Sequence, residues 1–478
     1  MNDQPEDFWT QFKRGWRVAR RQAAAALHDA INTETVRLAV TGLSRAGKTV
    51  FITSAVQNLL AMADGKGSLP KFDDHGTADR LKKLSLLAAT SGAPRFPFES
   101  NFSALAAASP HWPPRTATLA EIAINFTVRR RHTGGLDFLK TREATLQIID
   151  YPGEWLLDLP MLAEEFAPWS AETLKRMDSG LRAEPAKPFF DYLRTVDLDA
   201  PFDADIARRL YDLYLAFLFD ARDRLGLRYL QPGGFLCAPP WPKTEAMVFA
   251  PLPVAPGRTL KPGSLAEVFR TRYDLYRQEM NTHFFDRHFR RFDRQIVLVD
   301  ILGALHGGPD VFEDTRLAIQ RLADSFNYGG RGILNPFARG ISKVLFAATK
   351  ADHVPERQRD ALQILLGRMA GADIDQMRDN RAVVKTAALA SVRCTLDDKA
   401  QIDGRNVAVV RGLPMGRDKL VKFYPGEVPL KPPDADFWSG AFFELPVFQP
   451  PKLDPSGISG VPHIALDDAL FYLIGDRL

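Results

Sequence analysis

Apolar residues return every three to four positions between residues 9 and 27. Trp9, Phe12, Trp16, Ala19, Ala23 and Leu27 share one face, which predicts a helix over 5–30. At Thr35-Val36-Arg37-Leu38-Ala39-Val40-Thr41 the pattern becomes a short buried strand, closed by a glycine turn and a helix starting near Lys48. Residues 64–76 and 91–115 read as loops around a helical stretch at 77–90. The runs 118–130 and 144–150 alternate as strands do, joined through residues 132–135 and their neighbours. From 155 to about 294 the pattern is mostly helical, with Ile206, Leu210, Leu213 and Phe217 on one face. Eight prolines make 231–262 largely loop.

Strands at 295–299, 343–348 and 382–386 then alternate with helices at 311–326 and 355–370. Such alternation predicts an α/β fold with a mostly parallel sheet and helices on both faces. Residues 397–460 read as short strands and loops, and the last helix covers about 465–475.

Composition narrows the function classes. Of 478 residues, 45% are apolar and 25% charged, which excludes a wholly disordered chain. With 62 bases against 58 acids, the net charge of +4 selects no nucleic acid as a specific partner. Two cysteines, Cys237 and Cys394, exclude a disulfide scaffold and a cysteine-based zinc cluster. No apolar run reaches the roughly 18 residues of a membrane-spanning helix. Asp3, Glu6 and Asp7 argue against a mitochondrial presequence, so the expected location is the cytoplasm. The helix at 5–30 adds a second element to that expectation. It carries Lys13, Arg14, Arg17, Arg20 and Arg21, with no acid between residues 11 and 28. It either touches an anionic membrane surface peripherally or docks its aromatic face on the protein.

Gly42-Leu43-Ser44-Arg45-Ala46-Gly47-Lys48-Thr49 matches G-x-x-x-x-G-K-[ST] in full, between a strand and a helix. Gly42 and Gly47 let backbone wrap a phosphate. The N–H groups of Ser44, Arg45, Ala46 and Gly47, and of the helix start through Val50, point at the anion. Lys48 adds charge on the β- and γ-phosphates, and the Thr49 hydroxyl reaches Mg²⁺.

Asp150-Tyr151-Pro152-Gly153 follows a strand and fits D-x-x-G, with Asp150 holding Mg²⁺ through water and the Gly153 N–H meeting the γ-phosphate. Asp300-Ile301-Leu302-Gly303 fits the same letters after another strand. In a Ras-like order the phosphate loop is followed by two antiparallel strands, D-x-x-G and three more strands, which selects Asp150. Asp300 is left to cap the following loop. Thr349-Lys350-Ala351-Asp352 fits [NT]-K-x-D at a strand end. Its Asp352 carboxylate would accept from the guanine N1–H and exocyclic amine, which adenine lacks, and Lys350 would lie along the base. Thr386, Ala387 and Ala388 end the next strand, where a backbone N–H meets the guanine O6. A threonine closing over Mg²⁺ should precede the paired strands. Thr116 is the candidate and Thr118 the alternative.

With these residues in place the sequence resembles the YcjX-like family of P-loop GTPases. The segment 38–49, Asp150-Tyr151-Pro152-Gly153-Glu154-Trp155-Leu156-Leu157-Asp158-Leu159-Pro160, the segment 293–300 and Phe423-Tyr424-Pro425-Gly426-Glu427 carry the resemblance. It implies a Ras-like G domain, GTP/GDP and Mg²⁺ as ligands, and bacterial envelope stress beside a membrane protein. The expected organisation is an N-terminal amphipathic helix at 1–34, G domain at 35–154 and 295–396, and a helical insertion at 155–294. A short-strand and loop extension at 397–464 and a final G-domain helix at 465–478 complete it.

The residue after D-x-x-G often orients the attacking water and is commonly Gln; here it is Glu154. A carboxylate beside a γ-phosphate is repelled unless protonated or paired, so slow hydrolysis is expected. Arg45 either pairs with Glu154, touches the γ-phosphate or faces solvent. The insertion starts directly after the γ-phosphate sensor, where switch segments lie, so the chain is expected to act as a nucleotide-controlled switch through a protein partner not identified by sequence, with a membrane protein and the inner membrane as candidates. The alternatives are a P-loop ATPase or kinase and a nucleotide-stabilised scaffold without turnover.

Overall fold

A computed structural model describes residues 33–43, 45–66, 69–88, 93–114, 118–129, 141–237, 244, 247–327, 341–371, 383–439 and 446–478. The helix read at 5–30, Ser44 and Thr116 lie outside the described residues.

Seven strands form the central sheet: β1 (Thr33–Gly42), β2 (Leu81–Leu87), β3 (Ala120–Arg129), β4 (Thr141–Asp150), β5 (Arg294–Val299), β6 (Lys343–Ala348) and β7 (Val383–Ala388). Their order is β2-β3-β4-β1-β5-β6-β7. β1 pairs parallel with β4 and β5, and β6 and β7 continue in parallel, while β3 is antiparallel to both its neighbours, β2 and β4. This is an α/β sheet in the order expected from the phosphate loop and D-x-x-G, with one strand added at the edge.

That added strand corrects the helix read at 77–90. Leu81–Leu87 is rich in Leu and Lys, both good helix formers, yet it pairs with β3. Tertiary pairing overrides weak local propensity at such an edge. The stretch read as loop at 91–115 holds a helix, Phe98–Leu105, and that at 64–76 a five-residue helix, Pro70–Asp74.

The helices are α1 (Lys48–Ala63), α2 (Phe98–Leu105), α3 (Phe166–Met177), α4 (Ala183–Leu193), α5 (Ala204–Asp223), α6 (Leu265–Met280), α7 (Ile301–His306), α8 (Pro309–Asn327), α9 (Arg359–Met369) and α10 (Leu466–Ile474). Local signals start two of them. Asp203 caps α5 by accepting from the Asp205 and Ile206 N–H groups at 2.8 and 3.0 Å. Ser264 caps α6 through the Glu267 N–H, and Glu267 reaches back to the Gly263 N–H at 3.1 Å, a capping box shifted by one residue.

Successive residues of the inner strands face opposite sides, as strand geometry requires. Leu38, Val40, Ile296, Leu298 and Leu345 pack with α1 and α10. Ala39, Val297, Val299, Val344 and Phe346 join a second core. That core runs without a break into α3, α5 and α6, so the helices between β4 and β5 share the sheet's core.

A smaller antiparallel sheet of β8 (Thr395–Ile402), β9 (Arg405–Gly412) and β10 (Val421–Phe423) follows β7. Polar bonds tie the C-terminal part to α1. Gln57 donates to the Gly457 carbonyl at 2.8 Å, and Asn58 exchanges two hydrogen bonds with Val461. Arg294 is buried and holds α10 through the Leu473 carbonyl and Asp476. No helix among the described residues is long and apolar enough to cross a membrane.

Candidate functional site

The phosphate loop occupies the turn from β1 to α1. Gly42 lies beside Leu298 of β5, where a Cβ would stand 2.7 Å from the Leu298 carbonyl oxygen. Arg45 (φ 68°) and Gly47 (φ 84°) are both left-handed, a conformation that turns backbone N–H groups inward in anion-binding nests. The Ala46 N–H closes the turn on Leu43 O at 3.0 Å. Lys48 folds back over the loop, its ammonium donating to Gly42 O at 3.2 Å. Arg45 is exposed, while Thr49 and Val50 are half-buried in the first turn of α1. Among the described residues neither Lys48 nor Arg45 makes an ion pair. A loop with inward N–H groups, a helix N-terminus and two such cations is a seat for an anion.

The D-x-x-G segment reaches this loop. Asp150 ends β4 opposite Val40 and is 1% exposed. A Cβ on Gly153 would stand 2.1 Å from Gly42 O, so only glycine permits the observed approach of the two backbones. Residues Gly153–Asp158 then form a 3₁₀ turn. Tyr151 is buried, and its hydroxyl donates to Gln295 Oε1 at 3.2 Å.

The second D-x-x-G match has another role. Asp300 caps α7 through the Gly303 N–H at 2.9 Å and pairs with Lys350. Burial pushes Asp300 up, but the Lys350 charge, its hydrogen bond and the Gly303 N–H outweigh burial and hold it below the ordinary carboxylate range.

Thr349, Lys350 and Asp352 follow β6. Thr349 is fixed by its N–H on Val299 O at 2.9 Å, and Lys350 is left-handed (φ 62°). Asp352 is 2% exposed. Its Oδ2 accepts from the Cys394 N–H at 2.8 Å and its Oδ1 lies 3.1 Å from His353 Nδ1. Burial raises Asp352, and the His353 interactions and the Cys394 N–H reverse the direction, so it titrates low. The Cys394 thiol and the Asp352 N–H also bear on this carboxylate, so of its about four lone-pair sites only a part is left to accept from a ligand. Thr386, Ala387 and Ala388 end β7 beside β6, with Ala388 opposite Ala348 and the next N–H, of Leu389, on Ala348 O. The structure thus brings the ends of β1, β4, β6 and β7 to one edge of the sheet, where ligands of parallel α/β folds bind. Thr118 is described and exposed.

A family profile described as "YcjX-like family, DUF463" matches residues 36–478. The chain belongs to the YcjX-like family. Two relatives carry the name "Ras-like GTPase YcjX". The one from Escherichia coli (strain K12) is 34% identical over 455 residues, 93% of this chain and 96% of that protein. The one from Shewanella oneidensis (strain MR-1) is 34% identical over 463 residues, 93% of this chain and 94% of its own.

In this YcjX-like chain several residues bear on the site without a motif that marks them. Asp158, buried, accepts from the Gly233 and Gly234 N–H groups at 2.7 and 3.1 Å and from the Tyr276 hydroxyl at 2.5 Å. Burial pushes it up to about 7 against those three bonds. A Cβ on Gly233 would stand 2.0 Å from Glu154 O. The sequence signal for this contact is the Gly-Gly pair after Pro232, a mark of close backbone approach. Glu154 does not pair with Arg45. Its carboxylate is hydrogen-bonded by the Cys237 thiol, which burial and then the Glu154 charge push up to about 12. Arg222 and Arg228, at the end of a helical run, border the cleft that Glu154 and Leu43 also line.

Proposed function

We propose that the chain binds guanine nucleotide with Mg²⁺ and hydrolyses GTP slowly to GDP and phosphate. One observation carries the reading: a left-handed glycine loop opens α1, with Lys48 and Arg45 free of ion pairs among the described residues and Gly153 packed on Gly42. The name of the two relatives supports it.

On this reading the loop N–H groups hold the phosphates, and Lys48 exchanges Gly42 O for phosphate oxygens. The Gly153 N–H donates beside them. Asp352 accepts from guanine with the lone pairs that Cys394 and His353 leave, and the backbone at Thr386, Ala387 and Ala388 meets O6. The donor set fits Mg²⁺. No group of three or more His, Cys, Asp or Glu able to hold a metal occurs among the described residues. A hydroxyl at Thr49 with a buried carboxylate at Asp150 behind it is what a phosphate-bound Mg²⁺ takes from protein. Thr49 would hold it directly, Asp150 through water, and Thr116 is the candidate to close over it. Bound Mg²⁺ supplies neutralisation of charge on the β- and γ-phosphates.

Slow turnover is supported by Glu154, engaged by Cys237 where a water-orienting residue would stand. A switch is supported by Asp158, which fastens the turn after Gly153 to Gly233, Gly234 and α6. Movement of that turn would pull on the helices at 155–294, which we take as the insertion between the two parts of a G domain. We further propose a cytoplasmic protein that meets a protein partner, and the inner membrane through 5–30, in the envelope-stress setting the family resemblance implies.

Phosphate release with GTP and ATP side by side tests the reading, together with melting in GDP and Mg²⁺. Lys48→Ala should abolish the GDP-induced rise in melting temperature, which reports binding to the folded state, without unfolding the protein. Release from ATP alone would make the chain an ATPase. A GDP shift without release from either nucleotide would make it a scaffold. A GDP shift undiminished in Lys48→Ala would overturn the phosphate-loop assignment.

A further inference from the structure

Beyond the motifs, the helical segment sends one arginine to the mouth of the phosphate loop. Arg228 stands on the short stretch after α5, and its backbone is clamped. The Arg228 and Tyr229 N–H groups both donate to Asp314 of α8, the second at 3.0 Å, and Asp314 is 4% exposed and also paired with Arg182. The Leu227 N–H adds a bond to Ala221 O at 2.9 Å. A main chain held this way fixes where the side chain starts.

The side chain lines a small cleft together with Leu43, Glu154 and Arg222. Leu43 belongs to the phosphate loop, and Glu154 follows the glycine that sits on Gly42 O. The cleft therefore borders the ground where a γ-phosphate bound by that loop would lie. The other charged groups around Arg228 each have a nearer partner. Arg222 pairs with Asp223 and donates to Leu236 O, Asp300 pairs with Lys350, and Glu154 takes the Cys237 thiol. Among the described residues the Arg228 guanidinium itself makes no hydrogen bond or ion pair. Burial depresses Arg228 below the ordinary arginine value; the Asp300 charge opposes that, the Arg45 guanidinium adds to it, and Asp314 and Glu154 oppose it further. Arg228 thus lines a cleft that the phosphate-loop residue Leu43 also lines, within electrostatic reach of Arg45, and among the described residues neither guanidinium is in an ion pair. A planar fork of donors suits phosphate oxygens better than a point charge does.

We propose that Arg228 is a catalytic arginine supplied from within the chain, donating to the γ-phosphate oxygens as charge spreads over them in the transition state. This rests on the GTPase reading. It gives the helices between β4 and β5 a chemical task as well as a mechanical one, since they carry Arg228 into the site. Attack of water forms a new bond to the γ-phosphorus and breaks the bond to the β–γ bridging oxygen; GDP departs with those electrons, the water's oxygen and protons leave in inorganic phosphate and solvent, and Arg228 transfers no proton.

The test uses the full-length protein, Arg228→Ala and Arg228→Lys, with Arg45→Ala in parallel. Affinity for GDP is measured with and without aluminium fluoride, which mimics the transferring phosphoryl group, alongside single-turnover hydrolysis and melting temperature. Arg228→Ala should hold GDP within about threefold of the unmutated protein, a fraction of a decade. It should lose the tightening by aluminium fluoride and slow single turnover by about a thousandfold, the low end for such an arginine. Arg228→Lys should restore little, because it lacks the fork. If Arg228→Ala keeps the fluoride complex, or if only Arg45→Ala loses it, the proposal is wrong. If Arg228→Ala melts much lower and loses GDP as well, and Arg228→Lys regains both, Arg228 is a structural countercharge and the proposal is also wrong. Should the unmutated protein fail to bind GDP, the GTPase reading falls first and takes the inference with it.

Discussion

Asp158 gives the folded protein a measurable pH response. Its carboxyl titrates near about 7 when folded, against an ordinary value of 3.8. Folding therefore tightens the hold on a proton. Between those values the unfolded chain has already released it, so raising the pH favours unfolding. The stabilisation is complete below pH 4, fades up to about pH 7, and then stays level. Integrating the two titrations gives a loss of about 2–3 kcal/mol between pH 5 and pH 8. Other groups titrate in the same range, so the comparison is with Asp158→Asn, which cannot. Its amide oxygen can accept from Gly233 while its NH₂ meets both the Tyr276 oxygen and the Gly234 N–H, a mismatch of roughly 1–3 kcal/mol at every pH. Urea unfolding of both proteins from pH 5 to pH 8 should show the stability difference, unmutated minus variant, falling by about 2–3 kcal/mol with rising pH. A difference flat to within about 0.5 kcal/mol, or one that rises, refutes the argument from burial.

The other predictions concern nucleotide. Gly153→Ala places a Cβ 2.1 Å from Gly42 O, so the two segments must part, and GDP affinity measured by calorimetry should drop at least about tenfold; wild-type affinity would contradict the close packing. Asp352→Asn should weaken GDP at least about a hundredfold, because two charge-assisted bonds of about 1.5–3 kcal/mol are lost. The same variant should gain affinity for XDP, whose 2-oxo group the amide can face, and competition between the two nucleotides reads both effects at once.

Much of this was legible in sequence because it is local. The strand, Gly42 to Thr49 and the following helix are contiguous, and so are Asp150 to Gly153 and Thr349 to Asp352. Strand alternation was strong enough to place β5 and β6 within a residue of the runs at 295–299 and 343–348. Leu81–Leu87 was not legible, because its identity as a strand comes from the neighbouring β3. Nor was the setting of Glu154, which depends on Cys237, 83 positions away in the chain. Arg228 had no signature at all. What distinguishes it from its neighbour Arg222 is that Arg222 is paired with Asp223 while Arg228 has no ion pair among the described residues, a property of packing that no spacing rule encodes.

The contacts between α1 and the C-terminal part order events in time. Asn58 waits for Val461, 403 residues later, and Glu34 for Arg477, 443 residues later. β1 is flanked on one side by β5, and the Arg37 N–H meets Asp293 across 256 residues. At ribosomal speeds of roughly 5–20 residues per second, the interval before Val461 emerges is about 20 to 80 seconds. For that time a nascent chain exposes the phosphate loop on a strand and helix that lack part of their support. On the proposed reading, guanine nucleotide would then be a ligand of the finished polypeptide rather than an aid to its synthesis. The unpaired apolar edge of β1 is the surface a chaperone would have to shield meanwhile.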